Sequence, residues 1–192
     1  MEWGVTHPLQ RFLHMRALPY GQEENRLLCW DAHRIVLCRR DSLLLVNAHN
    51  RFAVVLYNPS PEQGRAPFAF ARQGLRTALL CAGMEEMQVQ QYLALAGSDV
   101  CVRTHGRREV AYLNRAWEDV MACEMLVDLW SVDQPALCHA VNARPCRCAG
   151  YAQVCSSAVH MQEDLAQQYR FLSYRPMCED RSDGNEDGKW RS

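Results

Sequence analysis

Between residues 27 and 58 the chain strings together four short apolar runs, "LLCWDAH", "RIVLCRR", "SLLLVNA" and "RFAVVLYN", broken by polar punctuation at Arg39 to Ser42 and at His49 to Arg51. Runs of this length, rich in Val, Ile, Leu and aromatic residues, are strand-sized. Together they read as an antiparallel meander, and everything else in the chain has to pack on that sheet.

The flanking segments change period. Thr6, His7 and Pro8 followed by Leu9, Phe12 and Leu13 read as a helix start, with Thr6 as N-cap and Pro8 in the first turn, running to about Ala17. After Pro59, Pro61, Gly64 and Pro67, apolar residues recur at helical spacing from Phe68 to Ala82 and stop at Gly83; a second helix carries Met84 to Ala96 and stops at Gly97. "DVCVRT" at 99–104 returns to period two and is expected to rejoin the sheet. Val110, Leu113, Trp117, Val120 and Met121 then mark one face of a long amphipathic helix, with Arg115, Glu118 and Asp119 opposite. Shorter helices are expected from Pro135 to about Val141 and from Gln162 to Leu172. The fold class is therefore α+β: a small antiparallel sheet, a meander plus one later strand, packed with a helical hairpin and a long amphipathic helix.

With 192 residues, 48% of them hydrophobic, the chain suffices for one core. A single domain is expected over 1–175. The polar, Gly-containing "CEDRSDGNEDGKWRS" reads as a disordered tail, placed at 176–192. Twenty-one basic against 22 acidic residues exclude bulk attraction to nucleic acid or an anionic membrane. Lys189 is the one lysine, so the other basic residues are arginines, suited to planar, bidentate contacts. "MEWGVTHPLQRF" has neither a basic n-region nor an apolar h-region, and no run approaches about 18 apolar residues, so a cytoplasmic protein with no membrane contact is expected. The ten cysteines, scattered through apolar positions, are expected to be reduced core residues.

Three constellations carry chemistry. Cys146, Cys148, Cys155 and His160 fall within "NARPCRCAGYAQVCSSAVH", a donor set that suits zinc, but the first pair is Cys-x-Cys and no Cys-x-x-Cys occurs anywhere. The expectation is a loop of free thiols and no cofactor, with zinc as the alternative. Asp31 and His33 in "WDAH" point to one face of a strand, where an Asp-His pair can orient a base. Neither a nucleophile elbow nor a phosphate loop accompanies it, so no catalytic residue is assigned. Arg39, Arg40, Arg103, Arg107 and Arg108 sit at strand ends or at the start of the long helix; clustered, they form a patch able to grip phosphates or an acidic partner.

The order of these elements resembles an uncharacterised bacterial domain-of-unknown-function family of Firmicutes and mobile elements. The residues that carry the resemblance are Trp30 to His33 (a "W-H-A-N"-like strand), Arg39 and Arg40, Leu45 to Asn47, Arg51 and Phe52, Thr104 and Arg107, and Asn114. It covers about 5–130 and, more weakly, the chain to Leu172. Asp31 and His33 depart from the family's His and Asn, and the cysteine loop has no counterpart in the pattern. What the resemblance implies is a small α+β protein without assigned enzyme chemistry. Two functions follow from the residues. The first is a non-enzymatic binding protein that meets a protein or nucleoprotein partner through the arginines and exposed aromatics such as Trp3, Trp130 or Trp190; by analogy with small families on mobile elements, it includes an inhibitor of a nucleic-acid-targeting defence complex of the anti-CRISPR kind. The second is a metal-assisted or Asp/His-dependent hydrolase built from Asp31, His33, His105 and the late cysteines. The first is favoured, since no catalytic constellation is complete.

Overall fold

The computed structural model describes residues 1–60 and 67–173. Its main sheet has strands β1 (Glu2–Val5), β2 (Cys29–Leu37), β3 (Arg40–Asn47), β4 (Ala53–Leu56) and β5 (Val100–Arg103) in the spatial order β4-β3-β2-β1-β5. Helices α1 (His7–Phe12), α2 (Pro67–Cys81), α3 (Glu86–Leu95), α4 (Arg107–Ala122), α5 (Pro135–Asn142) and α6 (Ser157–Ser173) surround it, and a two-stranded ribbon, β6 (Pro145–Cys146) with β7 (Cys155–Ser156), precedes α6. The class is α+β. The expected tail at 176–192, with Cys178 and Trp190, lies outside the described residues.

The meander exists, with two corrections. "LLCWDAH" and "RIVLCRR" form one nine-residue strand, β2, and the chain reverses only at Cys38 and Arg39. The sheet is also mixed rather than antiparallel, because β1 lies between β2 and β5 and runs parallel to both. "EWGV" does alternate, with Trp3 and Val5 against Glu2 and Gly4, but at four residues the pattern is too short to stand out in the sequence. Trp3, expected to be an exposed aromatic, is instead fully buried beside Trp30.

Strand alternation divides the sheet's faces. Trp3 stacks on Phe68 of α2, and the neighbouring Trp30 donates its indole N–H to the Tyr92 hydroxyl of α3, so the hairpin α2–α3 covers this face. Glu2, Gly4, Asp31 and His33 point the other way, toward α4. The buried side of α4 is Glu109, Tyr112, Leu113, Ala116 and Val120, which leaves Trp117 and Met121 at the rim rather than in the core where the periodicity put them. Gly83 and Gly97 end α2 and α3 with positive φ, as read from the sequence. Thr6 precedes α1 without capping it by a side-chain bond; its hydroxyl pairs with His33 Nδ1 at 2.9 Å, and the helix ends at Phe12.

The free edge of β4 is sealed by side chains. Asn142 of α5 accepts from Ala53 N at 2.7 Å and donates to Ala53 O at 2.7 Å, while Cys138 Sγ accepts from Val55 N at 3.2 Å. An unsealed edge exposes a row of unpaired backbone groups that invites pairing with another chain. Asn142→Leu keeps the branched shape but orphans both groups of Ala53 and leaves the Ser157 hydroxyl with only the 3.4 Å contact to the carbonyl of residue 142. At about 1–3 kcal/mol for a buried unsatisfied group, thermal unfolding of this variant is expected to fall by several degrees, with light scattering revealing new self-association; an unchanged Tm would remove the edge-sealing role.

Candidate functional site

On the α4 side of the sheet, a charged cluster is enclosed between β1, β2 and the turn after β5. His105 donates its backbone N–H to Asp31 Oδ1 at 3.1 Å; its ring Nδ1 lies 3.2 Å from the same oxygen and its Nε2 lies 3.0 Å from Glu2 Oε1. The His105 side chain is 3% exposed. Gly4 makes the arrangement sterically feasible: a Cβ there would sit 2.0 Å from Asp31 Oδ1 and 2.8 Å from His105 Nδ1. Burial by itself would drive the imidazole toward its neutral form, but the bond to Asp31 and the neighbouring Cys29 outweigh it and raise the His105 pKa to about 10. Burial opposes ionisation of Glu2 too, yet donation from the Gln22 and Glu23 backbones and from His105 lowers its pKa. Both ring nitrogens are therefore engaged and the ring is held as imidazolium.

Asp31 and His33 share a face, as expected, but not a partner. Asp31 belongs to His105, whereas His33 is bonded to Thr6, packs edge-on against Trp117 and has its pKa lowered by burial. Of the other residues of the quoted motifs, Trp30 and Asn47 are built into the sheet. Asn47 donates to Leu27 O and accepts from His49 N and Asn50 N, fixing the β3–β4 turn. Arg51, at φ +65, lies over the Tyr112 ring and donates to Arg147 O. Asn114 is on the exposed side of α4.

A family model described as Domain of unknown function (DUF6933) matches residues 4–156. The chain belongs to this family. No curated protein matches it. The matched span includes Trp30, Asp31, His33, Asn47, Arg51 and Asn114.

The DUF6933 chain brings three of its four candidate metal ligands together. Cys146 and Cys148 Sγ are 3.6 Å apart, and both lie with a ring nitrogen of His160 in one buried group. The contact between the two thiols lowers the pKa of Cys146 and raises that of Cys148. Cys155 faces Cys146 across the ribbon but is outside that group. His160 was expected in a loop; α6 starts at Ser157, five residues before the anticipated Gln162, and carries it in the first turn. No disulfide joins any of the nine cysteines among the described residues.

The five arginines do not form one patch. Cys38 N donates to Glu124 Oε1 just past the far end of α4, so Arg39 and Arg40 lie at that end, whereas Arg107 and Arg108 open the helix. Sixteen helical residues separate the two ends by about 24 Å. Arg103 is bonded to Leu18 O and the Tyr20 hydroxyl, and Arg108 to the buried Glu109. Arg39 and Arg40 are exposed, and they adjoin a surface that sequence reasoning did not assemble. Trp117, Met121, Met125, Leu126, Leu129 and Trp130 are all exposed, Met125 by 90% and Trp130 by 96%. The loop that carries Trp130 is ordered: the buried Gln134 side chain accepts from Asp128 N and donates to Asp128 O and Ser131 O, at 2.6 to 2.8 Å.

The charged cluster makes a signed prediction. Because the folded-state pKa of His105 is raised, from an ordinary 6.5 to about 10, its stabilisation is complete below pH 6.5 and disappears as pH rises through about 10. The gap in unfolding free energy between the wild type and His105→Gln, measured by urea denaturation, should be widest below pH 6.5 and narrow toward pH 10. A gap independent of pH over that range would contradict the imidazolium assignment.

Proposed function

We propose that this DUF6933 protein is a non-enzymatic binding protein that docks a protein partner on the surface formed by the end of α4, the loop through Trp130 and the β2–β3 turn. The observation that carries this reading is Trp130, almost wholly exposed on a loop that Gln134 holds in place. A large apolar side chain displayed on an ordered support costs solubility and loses no rotamer freedom of the loop when it is covered. Trp and Arg dominate the energetics of protein interfaces, and contiguous exposed apolar surface marks such sites.

Backbone conformation at the neighbouring turn points the same way. Leu37 pairs with Arg40, leaving the two-residue loop Cys38-Arg39, and both residues have positive φ, +45 and +62. This is the geometry of a type I′ turn, where Asn-Gly is the favoured pair. Non-glycine residues there carry strain of order 1–3 kcal/mol each, tolerated at the place where Arg39 is displayed. Glu124 lies alongside, which weakens the pull on a phosphate backbone, while the exposed apolar side chains favour a protein with an apolar groove. A nucleoprotein defence complex, the inhibitor reading, is a finer version of the same proposal and would use the same surface through its protein component. The hydrolase reading has less support, since His105 has neither a free nitrogen nor an open face.

The test compares proteins retained from host lysate by the wild type, Trp130→Ala, the pair Arg39→Glu with Arg40→Glu, and His33→Ala. A partner held by the wild type and by His33→Ala, and lost by the other two, is the expected result. If His33→Ala removes function and the arginine reversals do not, the binding reading is wrong. Concentration-dependent sedimentation abolished by Trp130→Ala would instead make the partner a second copy of the chain. In a separate measurement, Cys38→Asn with Arg39→Gly should raise thermal stability by about 1 kcal/mol or more, by relieving positive-φ strain, while weakening partner binding.

A further inference from the structure

We propose that Cys146, Cys148 and His160, joined by Cys155, bind one thiophilic divalent cation, with zinc as the expected ion. This site is separate from the docking surface and does not depend on it. Its three central donor atoms lie within 4.8 Å of one another and all three residues are buried. The 3.6 Å between Cys146 Sγ and Cys148 Sγ is what two thiolates on one tetrahedral zinc require, about 3.7 Å for Zn–S bonds of about 2.3 Å.

Local structure explains why a Cys-x-Cys pair serves here. Residues i and i+2 of an extended segment project to the same side, and the β6–β7 pairing folds the chain back so that α6 sets His160 against them. Cys155 is the register partner of Cys146. Side chains so paired leave one face of the ribbon with Cβ atoms about 5 Å apart, so rotation of the Cys155 side chain, without movement of the backbone, brings its sulfur toward the fourth position.

His160 supplies an independent observation. Its side chain is 3% exposed, and neither Nδ1 nor Nε2 has a hydrogen-bond partner. The carboxylate of Glu163 is 3.9 Å from Nδ1, beyond hydrogen-bond range. Buried polar atoms nearly always have partners; a metal bond gives this imidazole one. The Tyr151 ring, 3.9 Å from the imidazole centroid to centroid, holds its plane. The Arg51 guanidinium, which shares a small cleft with Cys146, offsets negative charge on the thiolates, whereas the Cys148 thiol, which donates to Asn50 O at 3.3 Å, gives up that bond when it coordinates. On binding, each coordinating thiol loses its proton to solvent and forms an S–metal bond, so uptake releases protons and weakens at low pH.

The experiment titrates Co(II), then Zn(II), into the reduced full-length protein, and measures zinc by elemental analysis after purification without chelator. One equivalent is expected, with a thiolate-to-cobalt charge-transfer band and the intense visible absorption of a tetrahedral ion, both reversed by zinc. Cys148→Ser and His160→Gln should each weaken zinc binding by more than about tenfold, the lower end of what disturbing even the supporting residues of a metal site costs. Cys81→Ser should leave it unchanged, and Cys155→Ser should alter the cobalt spectrum. Circular dichroism establishes that each variant is folded, and the wild-type spectrum needs no variant at all. Absence of the charge-transfer band from the wild type, stoichiometric zinc in both Cys148→Ser and His160→Gln, or an intact mass short by two hydrogens from a disulfide among these cysteines would overturn the site. An unchanged cobalt spectrum in Cys155→Ser would overturn its assignment as the fourth ligand.

Discussion

The fold depends on one arrangement: a bare backbone at Gly4 that lets the Asp31 carboxylate and the His105 ring occupy the space over β1. Without it β1 does not fit between β2 and β5, because the side chain of any other residue collides with both groups. The ring then ties three elements together, since one nitrogen faces β2 and the other faces β1 while its own backbone belongs to the turn after β5. Burying two carboxylates and an imidazolium has a large desolvation cost, and replacing a buried ionic cluster by apolar residues is often neutral or better for stability. What the cluster adds is register. A parallel strand of four residues has few ladder bonds to fix its alignment, and a one-residue slip would place Trp3 against α4 and Glu2 under Phe68.

Much of this was legible in the sequence wherever the signal was local. Gly83 and Gly97 end α2 and α3, Asn47 sits at a turn, and the apolar runs of β3 and β4 are strands. The misses are of one kind: they depend on residues distant in sequence. Glu2 and Gly4 look unsuited to a central strand until His105 is known to be their partner. Asp31 and His33 were correctly placed on one face, but the residue that matters to Asp31 lies 74 positions away. Trp117 and Met121 match a core face by period alone, and only the packing of Tyr112 and Ala116 rotates the helix so that they reach the rim. The cysteines were legible as a donor set and illegible as a geometry, because His160 was assigned to a loop rather than to the first turn of α6.

The cysteine ribbon is not an appendage. Asn47 shapes the turn that delivers Asn50 and Arg51 to it; Asn50 contacts Cys148, Asp164 and Met161, and the Tyr112 hydroxyl of α4 accepts from Ala149 N. Arg51, read as family motif in the meander, therefore bonds a segment 96 residues later. A ribbon of two residues per strand is far below what pairing alone can stabilise. It persists because the sheet's turn grips it from below, and an ion among its sulfurs would tie its two strands to α6.

Helix α4 separates these duties. Its first turn follows His105, where every polar group is enclosed, and its last turn opens onto Glu124, which holds the strained Cys38-Arg39 turn, and onto the ordered loop of Trp130. Groups about 24 Å apart on a rigid helix are beyond the distance at which mutational effects usually couple. The strain and exposed apolar area at one end can therefore be maintained without loosening the charged lock at the other. Exposed apolar surface and a short central strand are both kept because they lie at opposite ends of the 16-residue helix α4.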